Sequence, residues 1–331
     1  MIRDHPLLGR PALVAIAALN AITGLAAAAV LAPLSFGGDV DVYRRGAEGI
    51  AHGVIAQDFL YAPLFGLLLT PLTWVPFATA AWVMALLGAT VLAIGIVVDT
   101  RGGAPVDRVL VAVAAFGFLP VVNDLILGQV TLLIAAAIYP VRQQDGFGRG
   151  VALGIVVALI PKPLLLPVLA WMLIRRRRAL AATAMTAILV TALGAGILGT
   201  DLYRLWAEAL VHAGQVSRNG NLALGSLGQP VLVIGAWVLV ALAAAWIIVR
   251  REPAGFVAAL LAGLLLAPYT LLYAASILLL AVRPALRVSP VATRILALTA
   301  NLGLVIAFVP WGAAALAAMG IAGDSDVTID I

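Results

Sequence analysis

The sequence predicts an all-α, polytopic integral membrane protein with about 11 transmembrane helices. Three observations carry that expectation. Hydrophobic residues make up 64% of the 331-residue chain and charged residues only 11%, where a soluble domain of this length needs far more polar surface. Apolar spans recur from one end of the chain to the other. The basic residues, 19 arginines and a single lysine, mostly flank those spans, as membrane topology demands. The basic pI of about 10.1 therefore reflects topology, and no nucleic-acid partner is expected.

The spans run roughly 11–34, 77–98, 108–122, 128–141, 148–160, 163–175, 179–199, 229–249, 254–268, 270–282 and 292–316. The first is long, lacks a small-residue cleavage site and reads as retained. Several others are short of the ~20 residues of a full crossing, and they come in pairs broken at Pro161-Lys162-Pro163 and at Pro268. The segment 62–72 is also short, and whether it crosses sets the orientation of everything after it. If it does not, 15 of the 20 basic residues share one face, and if it does, the split reverses. The positive-inside tendency selects the first arrangement. Residues 62–72 then form a juxtamembrane or re-entrant helix, with the N-terminus inside and the C-terminus outside. The whole chain, 1–331, reads as one polytopic domain with an outer loop at 35–76, a second at 200–228 and an acidic outer tail at 320–331.

This parity gathers Asp39, Asp41, Asp58, Asn123-Asp124, Gln129, Lys162, Arg218-Asn219-Gly220-Asn221 and Tyr269 at one face, together with ten of the fifteen acids. Short helices that end before the outer boundary leave a depression there, where polar groups and irregular backbone are tolerated. Gly37-Gly38 favours a turn, and a short amphipathic helix is expected from about Val42 to Ile50. Asp39 and Asp41 read either as caps of that helix or as a general base facing a membrane-level cavity. On an extended segment the two point the same way, and on a helix they diverge.

Lys162, flanked by prolines, reads either as a snorkelling anchor or as a cation for a lipid-linked phosphate. Arg218 beside Asn219 and Asn221 is an ordinary turn signature or a holder of phosphate and sugar hydroxyls. Asn123-Asp124 and Gly128-Gln129 interrupt apolar sequence and call for hydrogen-bond partners on neighbouring helices. Arg175 to Arg178 mark the inner face. With no cysteine, and with His5, His52 and His212 scattered, neither a metal site nor a cofactor is expected, although Asp39-Val40-Asp41 does spell Asp-x-Asp.

Taken in order, Asp39-x-x-Val42-Tyr43, Tyr61-x-Pro63-Leu64, Leu127-Gly128-Gln129-Val130 and Ile160-Pro161-Lys162-Pro163 resemble the signposts of the family-87 glycosyltransferases of the GT-C class. These are bacterial mannosyltransferases that use polyprenyl-phosphate mannose. The resemblance covers about residues 35 to 285. It implies a GT-C-like enzyme in the cell membrane, with juxtamembrane helices in the first outer loop and an active site on the outer face. Its partners would be a polyprenyl-phosphate-linked sugar donor, a lipid or glycan acceptor of the cell envelope, and membrane lipids.

Asp39 matches the family's catalytic position, with Asp41 as the fallback. Tyr43, Asp58, Asn123, Gln129, Lys162, Arg218, Asn219, Asn221 and Tyr269 are the candidates for holding donor and acceptor. The chain departs from the family at Ala267-Pro268-Tyr269-Thr270-Leu271-Leu272-Tyr273, where members often carry a Ser-Pro-x-Ser-Trp-x-His-like stretch. The implied chemistry is single displacement with an Asp general base. A phosphate leaving group needs no general acid, so one carboxylate suffices where glycoside hydrolases use two.

Two other classes compete, a polytopic transporter or lipid-carrier flippase and a noncatalytic membrane subunit. The polar groups crowd one face instead of the midplane, and no inverted repeat is evident, which favours the enzyme. The parity has a direct test. A topology reporter fused after Arg178 is expected to report the cytoplasm, and an external signal would disperse the polar motifs between two faces.

Overall fold

The computed structural model describes residues 9–56, 58–212, 224, 230–267 and 270–300. Every regular element among them is helical. In chain order the α-helices are α1 (Arg10–Ser35), α2 (Gly38–Ala51), α3 (Pro63–Leu69), α4 (Phe77–Asp99), α5 (Pro105–Phe116), α6 (Leu119–Leu127) and α7 (Thr131–Gln143). They continue with α8 (Phe147–Leu159), α9 (Leu166–Arg175), α10 (Arg177–Leu198), α11 (Thr200–His212), α12 (Pro230–Arg250), α13 (Ala254–Leu266) and α14 (Val282–Val288). Stretches of 3-10 helix occupy Thr70–Thr73, Pro163–Leu165 and Leu272–Ala281. The first part of the expected loop 200–228 is the helix α11, and the acidic tail 320–331 lies outside the described residues.

Among the described residues, four helical runs are long and apolar enough to cross a bilayer: Arg10–Ala51, α4, α10 and Val231–Arg250. The pair α5 and α6, bent by 65°, makes a fifth if taken as one span. Gly117 and Pro120 stand at that bend and account for it. Among the described residues the apolar spans of the sequence thus correspond to four or five full-length candidates and a set of shorter helices, and most of the expected span 292–316 lies outside them. A helix of 10–13 residues is roughly 15–20 Å long, against a hydrocarbon core of ~30 Å. Segment 62–72 is such a piece, α3 followed by the 3-10 turn Thr70–Thr73.

The short helices α7, α8 and α9 all run between the same two ends of the molecule. One end is built from arginines. Asp99 at the end of α4 accepts from Arg142 of α7 at 3.2 Å and pairs with Arg283 of α14 at 3.0 Å. Arg176 reaches the Val141 carbonyl at 3.2 Å and Glu252 at 3.0 Å. Arg175 donates to the Ile248 and Val249 carbonyls at the end of α12, satisfying acceptors that a helix C-terminus leaves open. The ends of six helices are tied there. The opposite ends of α7 and α8, and the start of α9, carry Gln129 and Lys162.

Lateral packing uses small residues, as expected where lipid supplies no hydrophobic drive between helices. Gly150 and Gly154 of α8 face α10 so closely that a Cβ on Gly150 would lie 1.9 Å from the Ala179 carbonyl oxygen. Thr183 Oγ1 bridges the pair, donating toward Gly150 O at 3.0 Å and Ala179 O at 2.9 Å. Gly150→Ala is expected to force the two backbones apart and lower stability in detergent by about 1–3 kcal/mol, read as a lower thermal midpoint. Gly148→Ala, whose added Cβ meets nothing within 4 Å, should leave that midpoint unchanged.

Candidate functional site

The glycine turn ends at Gly37, and α2 begins at Gly38, so both acids of the first outer segment lie in its first turn. This is earlier than the expected start near Val42. Neither acid caps the helix: the N-cap is Gly37, with no side-chain capping bond, which corrects the capping reading. A helix separates residues two apart and aligns residues four apart. Asp39 and Tyr43 therefore share one face of α2, while Asp41 and Arg45 share another. Arg45 bridges Asp41 and Asp58 on the exposed side. Tyr43 is fully buried, and Asp39 is half-buried with Oδ2 enclosed and without a hydrogen-bond partner among the described residues.

Facing them is Gln129, which owes its place to the end of α6. Gly128 closes that helix with φ of 73°, a left-handed conformation suited to glycine. A Cβ there would also lie 2.5 Å from Val40 of α2, so the same residue lets α2 approach. The Gln129 amide then bonds back to the Asp124 carbonyl at 2.9 Å, and its side chain is buried. Its Oε1 lies 3.3 Å from each of the Tyr43 hydroxyl, the Tyr61 hydroxyl, the Lys162 ammonium and the Val130 backbone nitrogen. The Asp39 carboxyl lies beside the same Gln129 side chain and within the field of Lys162.

Lys162 arrives between α8 and α9 because its prolines forbid a continuous helix. Pro161 has no amide hydrogen, and each residue preceding a proline is driven toward extended backbone. Lys162 is extended, with φ −80° and ψ 131°. Its Nζ lies 4.8 Å from the centre of the Tyr273 ring and 5.6 Å from that of Tyr61, within reach of a cation–π attraction. Burial pushes this ammonium below the ordinary lysine value, while the charges of Asp39 and Asp124 act the other way.

The stretch Leu272–Ala281 is a 3-10 helix of 10 residues, an unusual length for that geometry. With three residues per turn it eclipses Tyr273 and Ser276 on one side. Ser276 donates to Asp124 Oδ2 at 2.8 Å, and both are wholly buried.

Four segments far apart in sequence thus converge: Asp39/Tyr43, Tyr61, Gln129 and Lys162. The chemical character of the cluster follows from counting donors. A carbonyl oxygen has two lone pairs, yet Gln129 Oε1 faces four donors, all farther away than the usual ~2.9–3.0 Å. Lys162 carries three protons, and its described hydrogen bond goes to this same crowded oxygen. The site is rich in donors and suited to a ligand that brings acceptor oxygens.

Of the sequence candidates, Asp39, Tyr43, Gln129 and Lys162 enter the cluster. Asp41 and Asp58 do not, being held by Arg45. Asn123 is only partly buried beside Asp124, and it is Asp124 that finds the interhelical partner that the Asn123-Asp124 pair calls for. Arg218, Asn219, Asn221 and Tyr269 lie outside the described residues. Tyr61 appears in the sequence only as a signpost and Tyr273 only as the last residue of the stretch where the chain departs from the family, while Ser276 carries no sequence signal that marks it as a site residue. No group of three His, Asp or Glu side chains that could hold a metal ion occurs among the described residues.

An apolar helical bundle with several helices long enough to cross a bilayer and a donor-rich polar cluster at one end is the architecture of a multi-pass membrane protein. The family model of glycosyltransferase family 87 matches residues 59–274, more than half of the chain. The chain belongs to that family and is a membrane glycosyltransferase. The matched region contains Tyr61, Gln129, Lys162 and Tyr273, whereas Asp39 and Tyr43 precede it and join through the packing of α2. Comparison with curated proteins and with solved structures gave no match.

Gln129→Leu is expected to strand several buried donors at once. The variant should lose about 1–3 kcal/mol of stability, measured as a lower unfolding midpoint of the purified protein in detergent.

Proposed function

We propose that the protein transfers a sugar, mannose by family resemblance, from a polyprenyl-phosphate donor to an envelope lipid or glycan at the outer face of a bacterial cell membrane. The acceptor hydroxyl attacks the anomeric carbon, forming the new C–O bond as the bond from that carbon to the phosphate oxygen breaks. Its proton passes to Asp39, and the electron pair leaves with the phosphate. General-base assistance of this kind contributes about 10²–10⁴-fold. Lys162 receives the charge growing on the phosphate, with Arg218 as a second cation. Tyr43, Asn123, Gln129, Asn219, Asn221 and Tyr269 complete the proposed binding set.

The observation that carries this reading is the meeting of Asp39 with Lys162 at the side chain of Gln129. A carboxylate with an enclosed, unbonded oxygen stands beside a cation with protons to spare, as a base and a leaving-group stabiliser must. The outer location is supported by the separation of this cluster from the arginine end along α7 and α8. Each of those helices has 13 residues, roughly 20 Å, so a site at their ends lies below the boundary of a ~30 Å core. The loop 200–228 is supported as a substrate-facing element by Trp206 of α11, whose Nε1 approaches the Leu60 carbonyl at 3.5 Å, next to Tyr61. Asp41 is the weaker base candidate because Arg45 already engages it.

The test uses purified protein in liposomes of envelope-lipid extract with radiolabelled polyprenyl-phosphate mannose. Asp39→Asn is expected to lower label transfer by about 10²–10⁴-fold, and Asp41→Asn to change it only a few-fold. Full transfer by Asp39→Asn would sink the base assignment. Movement of the carrier lipid across the bilayer without label transfer would favour the flippase reading.

A further inference from the structure

Asp124 is a carboxylate that the proposed reaction leaves unused. It is completely buried, and burying a carboxylate costs several kcal/mol unless charge and hydrogen bonds compensate. Its Oδ2 accepts from Ser276 at 2.8 Å, and Thr131 at the start of α7 also acts on the carboxyl. Its backbone carbonyl holds the Gln129 amide at 2.9 Å. Ser276 stands one 3-10 turn from Tyr273, whose ring centre is 4.8 Å from Lys162 Nζ. The Gln129 residue that Asp124 holds places its Oε1 3.3 Å from the same ammonium, so the carboxylate lies within electrostatic reach of Lys162. Among the described residues, the groups that face Lys162 are Asp39 and Tyr43 from α2, Tyr61 from the following loop, Asp124 and Gln129 from α6 and its end, and Tyr273 from the 3-10 stretch. Only two of these are carboxylates.

The two carboxylates have different fates during transfer. As Asp39 takes the acceptor proton it loses its negative charge, and the donor phosphate, singly charged as a diester, gains one as a monoester. Between departure of the carrier phosphate and deprotonation of Asp39, Asp124 is the one carboxylate left facing the ammonium among the described residues.

We propose that Asp124, pinned by Ser276, is a positioning residue that acts through Lys162, a fixed counter-ion that keeps the ammonium charged and in place throughout the catalytic cycle. The inference rests on the transferase reading, in which Lys162 meets the donor phosphate. A buried ammonium tends to shed its proton, and a nearby carboxylate opposes that loss. Transfer should therefore fall as pH rises through the Lys162 titration, and removing Asp124 should bring that fall to lower pH.

The experiment is the pH profile of label transfer from polyprenyl-phosphate mannose, for wild type, Asp124→Asn and Ser276→Ala. Asparagine preserves the shape of the side chain and an oxygen for Ser276, but not the charge. The expected result is an alkaline limb displaced downward by about one unit or more in Asp124→Asn. Ser276→Ala removes the bond and leaves the charge, so its limb should stay at the wild-type position. A limb that does not move in Asp124→Asn, a loss equal at every pH, or the same displacement in Ser276→Ala would overturn the inference. Asp39→Asn and Lys162→Met are run alongside. Wild-type transfer by both would defeat the assignment of Asp39 and Lys162 on which the inference rests, and no transfer by the wild type would defeat the transferase reading, whereas loss in both variants with an unmoved Asp124→Asn limb defeats only the role of Asp124.

Discussion

The side-chain oxygen of Gln129 is where the tertiary structure closes around its polar interior. It draws Tyr43 from α2, Tyr61 from the loop before α3 and Lys162 from the break between α8 and α9 to within 3.3 Å of one atom. In an apolar bundle each of those groups would be costly to bury alone. Sharing one acceptor is a compromise that leaves every bond long, and in the proposed reaction the same compromise keeps the donors ready for the donor phosphate. Structure and chemistry therefore draw on one interaction.

The frame around that oxygen is apolar and closely packed. Glycines let backbones touch, as Gly128 does against α2 and Gly150 against α10, while the arginine end ties six helix termini through Asp99, Glu252 and backbone carbonyls. Two short helices, α7 and α8, then act as spacers of similar length between the arginine end and the polar cluster. Both breaks in the helical run matter here. Pro161 and Pro163 end α8 and free Lys162 from helical geometry, and the bend between α5 and α6 brings the end of α6, with Asp124 and Gly128, to the cluster.

Much of the site is legible in the sequence because its residues contradict their surroundings. A lone lysine between prolines, a glutamine after glycine in an apolar run and an acid four residues before a tyrosine each stand out in a chain so poor in charge. Their convergence is visible only through family order, since no local rule links residues 43, 61, 129 and 162. The choice between Asp39 and Asp41 depends on whether the segment is helical from Gly38, and the glycine pair argues for a turn, which sets the expected helix start too late. Ser276 is hidden for a different reason. It sits in an apolar run with nothing to mark a small hydroxyl as a site residue, and its partner Asp124 is 152 residues away in sequence. Sequence gives no ground for choosing Asp124 over Asn123, because it does not reveal which side of α6 turns inward. The number of full crossings is the least legible feature, since an apolar run does not state whether a helix continues through it.

The central claim is that this cluster is where the donor phosphate and the base meet. A cryo-EM structure of the wild-type protein with polyprenyl-phosphate mannose bound tests it most directly. Phosphate oxygens are expected within hydrogen-bond distance of Lys162 Nζ, with the anomeric carbon between the phosphate and Asp39. A phosphate seated at the arginine end, or anywhere that leaves Lys162 bonded only to Gln129, would contradict it.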